Sequence, residues 1–322
     1  MRAALIRSYG GPQVVEVAEL PDPEPGPGQL LVDVAAAGVN FVDVYHRTGA
    51  YPGELPLQLG TEGAGTVAAV GDGVTGVSPG DRVAWAMRPG AYATRAVVAA
   101  DVAVPVPDGV TDEVAAAVLL QGMTAHYLTT ATYPVRSGDT VLVHAAAGGT
   151  GALIVQLAVR RGGTVIATTS TEEKARLARE AGATEVIRYD QADVAAEVER
   201  ITGGAGVAAV YDGVGASTFD ASLASLRPRG YLVLFGASSG PVPPVDPRRL
   251  QAGGSLFLTR PTLAHYMATR AELLERAGAV FDAVASGELT VRVGGRYSLD
   301  EVGRAHTDLE SRRTTGKLLI IP

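Results

Sequence analysis

The sequence predicts an α/β fold, a doubly wound parallel sheet inserted into a β-rich domain. Three observations predict it. Between residues 140 and 258 short apolar runs alternate with helical segments, which demands a parallel sheet with helices on both faces. Residues 1 to about 120 instead give short β-rich runs broken by turn residues. Between the two patterns, residues 140–157 join an apolar run to a glycine-rich turn and then to an apolar helical segment. That is the strand, turn and helix start of a dinucleotide-binding βαβ unit.

In chain order, residues 30–34, 65–70 and 81–85 are expected as strands, separated by turns at 21–27, 71–73 and 78–81. Residues 112–128, rich in Ala and Leu, make the first convincing helix. The second strand of the parallel sheet is expected at 164–167, with a helix over 172–181. A third strand at 184–187 and a helix at 192–201 follow. The fourth strand, 207–211, leads through residues 212–215 to another helix; the fifth is 231–235 and the sixth 255–258. Beyond Pro261 a long helix over 269–286 precedes short strands that end the chain. The β-rich domain is therefore assigned to 1–122 and 262–322, and the dinucleotide-binding domain to 123–261.

The chain of 322 residues carries a net charge of −7, with its cations dispersed. No basic stripe marks a nucleic-acid or membrane partner. There is no cysteine, which excludes disulfides, thiol catalysis and thiolate metal sites. Residues 1–10 lack the apolar core of a signal peptide, and the apolar stretch 114–120 is far below the ~20 residues a bilayer requires. A cytoplasmic location is expected.

In the glycine turn, Ala147, Gly148, Gly149, Thr150 and Gly151 are the candidate phosphate cradle. Gly148 allows backbone approach, Gly151 allows close helix packing, and the helix N-terminus offers unpaired N–H groups. Ala146 stands where the first glycine of the usual pattern would be. A binder of NAD places a carboxylate at the end of the second strand. Here that end reads Thr168-Thr-Ser-Thr171, with Lys174 one turn on and Tyr189 past the third strand. Ser170, Lys174 and Tyr189 suit a 2′-phosphate, so NADP(H) is expected. The same residues also serve as a helix cap and a surface charge, and Glu172 and Glu173 are compatible with NADH.

The chain resembles the medium-chain dehydrogenase/reductase superfamily, and within it the zinc-independent, zeta-crystallin-like quinone oxidoreductases. The resemblance covers the whole length. Its carriers are Val39-Asn-Phe-Val-Asp-Val-Tyr-His-Arg-Thr-Gly-Ala-Tyr-Pro52, Leu59-Gly-Thr-Glu-Gly-Ala-Gly65, Gln121-Gly-Met-Thr124, His144-Ala-Ala-Ala-Gly-Gly-Thr-Gly151, Phe235-Gly-Ala-Ser-Ser-Gly240, Thr259-Arg-Pro261 and Glu310-Ser-Arg312. It implies a Rossmann sheet inserted in a GroES-like catalytic domain, with cofactor and acceptor in the cleft between them. Metal-dependent members carry a cysteine where this chain has Asn40 and a histidine where it has Thr61, so no metal is expected. Without a Lewis acid, hydride from a nicotinamide needs an acceptor that is already electrophilic. Quinones and conjugated carbonyls fit. The expected function is an NADPH-dependent quinone oxidoreductase, with an enone, 2-alkenal or enoyl reductase second and a crystallin-like or RNA-binding protein as the non-enzymatic alternative.

By the same resemblance, Asn40 and Thr124 lie near the nicotinamide ribose or the substrate, and Tyr45 and Tyr51 line the acceptor site. As residue types alone, Asn40 also suits a turn after Gly38, and the tyrosines suit ordinary packing. The segment Phe235, Gly236, Ala237, Ser238 and Ser239 follows the fifth strand, at the edge where open sheets bind ligands, and is a candidate for the carboxamide. Arg260 and Arg312 are candidates for the phosphates, with Arg313 beside the latter. Asp43 and the five histidines are expected to be structural. The sixth strand leaves an apolar sheet edge, which relatives pair across a twofold; a homodimer through residues 255–258 is expected.

Overall fold

Short, turn-punctuated strands build the first part of the chain. In the computed structural model, which describes all 322 residues, they are β1 (Arg2–Ile6), β2 (Val15–Glu19), β3 (Gln29–Val39), β4 (Leu57–Gln58), β5 (Glu62–Val70), β6 (Arg82–Ala86), β7 (Arg95–Ala99) and β8 (Val104–Pro105). Two helices accompany them, α1 (Phe41–Thr48) and α2 (Asp112–Tyr127), the latter followed by a turn of π-helix over Leu128–Thr132.

The parallel sheet comes next. Its strands are β9 (Thr140–Val143), β10 (Thr164–Thr169), β11 (Glu185–Arg188), β12 (Val207–Asp212), β13 (Leu226–Leu234) and β14 (Phe257–Thr259). Between and after them lie α3 (Gly149–Arg160), α4 (Glu172–Glu180), α5 (Val194–Thr202), α6 (Phe219–Ala224), α7 (Arg248–Ala252) and α8 (Leu263–Tyr266). The chain closes with α9 (Arg270–Ala285), β15 (Val293–Ser298), α10 (Val302–Glu310) and β16 (Lys317–Ile321).

These elements form two units: Met1–Met123 with Met267–Pro322, and Thr124–Tyr266. In the first, β2, β1 and β4 make a small sheet, and a larger one runs β15-β16-β3-β5-β6-β8, with β7 also paired to β3. The last strand thus lies beside the third. Leu318 faces Val39 across the β16–β3 ladder, and Ala37 faces Gly63 across the β3–β5 ladder. This register brings the start of β16, the end of β3 and the start of β5 to one place. There is no room there for a larger residue than Gly38, whose Cβ would lie 2.4 Å from both Ala116 O and Glu62 Oε2.

The second unit is one parallel sheet of order β11-β10-β9-β12-β13-β14. The order reverses between β9 and β12, so a crevice opens at the carboxyl ends of those two strands. Leu142, Ile166, Val210 and Leu232 from four adjacent strands pack with Val198, Phe219 and Leu223 in one apolar layer.

Two helices depart from the sequence expectation of an all-β start and short closing strands. Residues 41–48 and 302–310 are helical. The first contains Val42, Val44 and Thr48, poor helix formers. It is specified by its ends: Asp43 Oδ2 accepts the Asn40 backbone N–H at 2.8 Å, and Gly49 closes it with φ of 81°.

Candidate functional site

In the second unit all six strands are parallel, so every strand-end segment falls on one edge. After β9 the chain turns through His144 to Gly148 before α3. Ala145 takes a left-handed φ of 50°, and Gly148 N–H returns to Ala145 O at 2.9 Å. Gly151 must be a glycine, because a Cβ there would lie 2.4 Å from Ala145 O. The first turn of α3 therefore sits tight against the strand end and presents its N–H groups outward.

A buried chain of hydrogen bonds, invisible in the sequence, holds this edge together. Asp212 at the end of β12 accepts from Val214 N and Gly215 N through Oδ1, and from the Thr218 and Ser222 hydroxyls through Oδ2. With its proton on Asp212, Ser222 Oγ accepts from His144 Nε2, at 3.0 Å. Nδ1 is then an acceptor and takes the Thr168 hydroxyl at 2.9 Å. A neutral His144 in a single tautomer thus ties β9, β10 and α6 to β12, and burial lowers its pKa.

The fifth strand end closes on the fourth. Ser238 N–H and Ser239 N–H donate to Gly213 O and Val214 O, and Ser239 Oγ accepts from Ser217 N. Gly236 is required, since a Cβ would lie 2.4 Å from Gly213 O. Arg260, after β14, donates through Nη1 to Leu234 O and Gly236 O, so it braces the 235–239 segment. At the second strand end, the Thr171 hydroxyl accepts Lys174 N–H at 3.2 Å, a helix cap. The Lys174 side chain is half-buried, which lowers its pKa. Ser170 is half-buried and Tyr189 exposed, with Tyr189 N–H on Thr169 O. Glu172, a possible repellent of phosphate, is engaged by Arg179 and Arg188. Thr124 is half-buried on α2.

The first unit holds a second constellation. Asn40, Glu62 and Lys317 are buried together, the last two at 0% and 1% exposure. Lys317 Nζ donates to Glu62 Oε2 at 2.5 Å and to Asn40 Oδ1 at 2.7 Å. Asn40 Nδ2 donates to Glu62 Oε2 at 2.9 Å and to Gly38 O at 3.1 Å. Gln121 Nε2 donates to Asn40 Oδ1 at 3.3 Å, and Leu120 N–H to Glu62 Oε1 at 2.6 Å. Every group in this ion pair has a partner, the condition for burying it. Beside it Asp43 accepts from Thr61 Oγ1 and Tyr92 Oη; burial raises its pKa against those hydrogen bonds.

Tyr45 and Tyr51 meet edge to face, with ring centroids 5.1 Å apart, and Phe41 stands 6.4 Å from Tyr45. Tyr51 is 44% exposed, and its carbonyl lies 3.1 Å from His46 Nδ1. Arg312 and Arg313 are exposed between α10 and β16, Arg312 with a left-handed φ of 58°. The sequence reading missed Glu62, Lys317, Gln121 and Asp212. Glu62 and Gln121 lie in segments that carry the family resemblance, but no feature of the sequence assigned a role to them, to Lys317 or to Asp212.

A parallel sheet with this switch point and glycine turn, and a β-rich unit made from both ends of the chain, define a two-domain dehydrogenase/reductase of the medium-chain type. Residues 26–108 match the alcohol dehydrogenase GroES-like domain and residues 149–287 the zinc-binding dehydrogenase family. A quinone oxidoreductase of Pseudomonas aeruginosa is 46% identical over 98% of both chains. A 2-haloacrylate reductase of a Burkholderia species is 43% identical over 99% of this chain and 98% of that one. A mycobacterial protein solved in complex with NADPH is 53% identical, covers 100% of both chains and superposes with a TM-score of 0.97. The chain belongs to the quinone oxidoreductase branch of the medium-chain dehydrogenase/reductase superfamily.

The matched family name includes zinc, but these residues do not fit a metal. Asn40 and Thr61, at the positions of the expected ligands, give their polar atoms to Lys317, Gln121, Glu62 and Asp43. Cysteine is absent, and nowhere do three or more His, Asp or Glu side chains gather as a metal site would require. No helix is long and apolar enough to cross a membrane.

Proposed function

We propose that this protein is an NADPH-dependent quinone oxidoreductase that works as a homodimer and needs no metal. The observation that carries the reading is the fate of Asn40 and Thr61. Where a Lewis acid would sit, the chain has a buried ammonium hydrogen-bonded to Glu62 and Asn40. An alcohol or saturated ketone would go unassisted, whereas a quinone delocalises incoming charge onto its own oxygen.

Bound NADPH supplies the reducing equivalents. Residues 147–151 offer backbone N–H groups to its pyrophosphate at the N-terminus of α3. Ser170, Lys174 and Tyr189 receive the 2′-phosphate, a site with no carboxylate of its own on the strand end and with Glu172 drawn off by two arginines. The 235–239 segment, stiffened by Gly213, Val214 and Arg260, offers its backbone to the carboxamide. Arg312 remains a candidate for a phosphate. Asn40 and Thr124 are assigned to the nicotinamide-ribose and acceptor end, and Tyr45 and Tyr51 to the wall against which a planar acceptor packs.

The domain assignment of 1–122 with 262–322 around 123–261 belongs to the same reading. Dimerisation is assigned to the free edge of β14. Phe257 is 48% exposed there and stacks on Tyr231 at 4.4 Å, leaving an apolar strand edge to be covered. A second reading, reduction of activated alkenes, is favoured by the similarity to the 2-haloacrylate reductase. Steady-state NADPH oxidation with a panel of quinones, 2-alkenals and enoyl thioesters separates the two. The proposal predicts the highest kcat/KM for quinones; turnover of alkenes with none of quinones would replace it by the second reading.

A further inference from the structure

The amide of Gln121 is the one polar side chain of the Asn40 cluster whose bonding is incomplete. Its Nε2 donates to Asn40 Oδ1, while its Oε1 is buried without a hydrogen-bond partner. A buried carbonyl oxygen left unpaired costs free energy unless something donates to it. We infer that Gln121 Oε1 is a binding group, an acceptor for an O–H or N–H donor on the bound cofactor or on the reduced acceptor. Resting on the reductase reading above, the inference adds to it a residue and a polarity.

The polarity is set two hydrogen bonds away. Lys317 can only donate, so the Asn40 atom facing it is the amide oxygen. Glu62 and Gly38 O can only accept, so the other Asn40 atom is the NH2 group. Turning the Asn40 amide over would set donors against donors and acceptors against acceptors. Asn40 Oδ1 in turn requires an N–H from Gln121, which leaves Oε1 as the amide atom without a partner. The charge pair Lys317–Glu62 thus fixes, through Asn40, the direction in which Gln121 accepts. Lys317 is a positioning residue that acts through the Asn40 amide; Gln121 is the residue that touches the ligand.

The test uses Gln121→Met, which keeps length and removes the acceptor, and the double variant Glu62→Gln/Lys317→Met, which removes both charges and the polarity they impose. One hydrogen bond to a neutral donor corresponds to about a 3- to 10-fold change. If the donor belongs to the cofactor, Gln121→Met weakens NADPH binding by that factor in a direct titration. If it belongs to the reduced acceptor, product inhibition by the hydroquinone weakens instead, with NADPH affinity unchanged. Either result supports the inference. The double variant, confirmed as folded by circular dichroism, should show the same loss, and combining it with Gln121→Met should add nothing. Unchanged NADPH affinity and unchanged hydroquinone inhibition in Gln121→Met overturn the inference, as does a double variant whose loss adds to that of Gln121→Met. Failure of the function itself is distinguishable. A wild-type protein that binds NADPH but reduces no quinone removes the acceptor assignment, and the titration still decides the role of Gln121.

Discussion

Replacing Lys317 by Met strands a carboxylate. Glu62 is fully buried, and without the ammonium its Oε2 keeps only the Asn40 amide and its Oε1 only Leu120 N–H. Removing one partner of a buried ion pair costs about 3–5 kcal/mol. In a unit of this size each kcal/mol shifts the midpoint by about 2–4 °C, so the first unit should melt roughly 6–20 °C lower. Adding Glu62→Gln removes the stranded charge while leaving an oxygen for Leu120 and Asn40. Most of the loss should then return, since replacing both ions of a buried pair is often neutral. Thermal and urea unfolding followed by circular dichroism measure both. A single variant within about 1 kcal/mol of wild type would refute the reasoning, as would a double variant no more stable than the single one.

Lys174→Glu should weaken NADPH binding by about 10- to 100-fold, the value of one charge-assisted contact, and leave NADH binding nearly unchanged; equal effects on both cofactors would remove Lys174 from the 2′-phosphate site. Phe257→Asp places a charge on the apolar edge of β14 and should shift sedimentation to a monomer, whereas an unaltered dimer would move the interface elsewhere. His306 is buried with Nδ1 against Arg47 Nη1 at 3.2 Å, and burial followed by the Arg47 charge lowers its pKa from 6.5 to about 3. The unfolded chain therefore takes up this proton first, so stability is complete above pH 6.5 and falls as pH drops towards 3. Urea midpoints of His306→Gln should show a shallower acid slope than wild type; an identical slope would mean that His306 is not the group.

Local pattern was legible where chemistry and structure share neighbouring residues. Gly148 and Gly151 mark the α3 turn, and the alternation from Thr140 marks a parallel sheet, because both follow from spacing within a few residues. The helix over 41–48 was not legible, since Val42, Val44 and Thr48 favour strands and only Asp43 and Gly49 signal a helix. The Asn40 cluster lay out of reach for a different reason. Lys317 and Asn40 are 277 positions apart and meet only because β16 pairs with β3. Nothing local in Lys317, next to Gly316 and an apolar strand, separates a buried ammonium from a surface one. Asp212 was likewise hidden, because its partners Ser222, His144 and Thr168 lie on other elements.

The proposed restriction to acceptors that are already electrophilic rests on a buried, hydrogen-bonded ion pair standing where a metal would act. The direct measurement is NADPH oxidation by protein treated exhaustively with a chelator, comparing a quinone with a saturated ketone of similar size. Quinone reduction at the untreated rate and no turnover of the ketone are expected. Loss of quinone reduction on chelation, restored by zinc, would contradict it, and so would a ketone turned over as fast as the quinone.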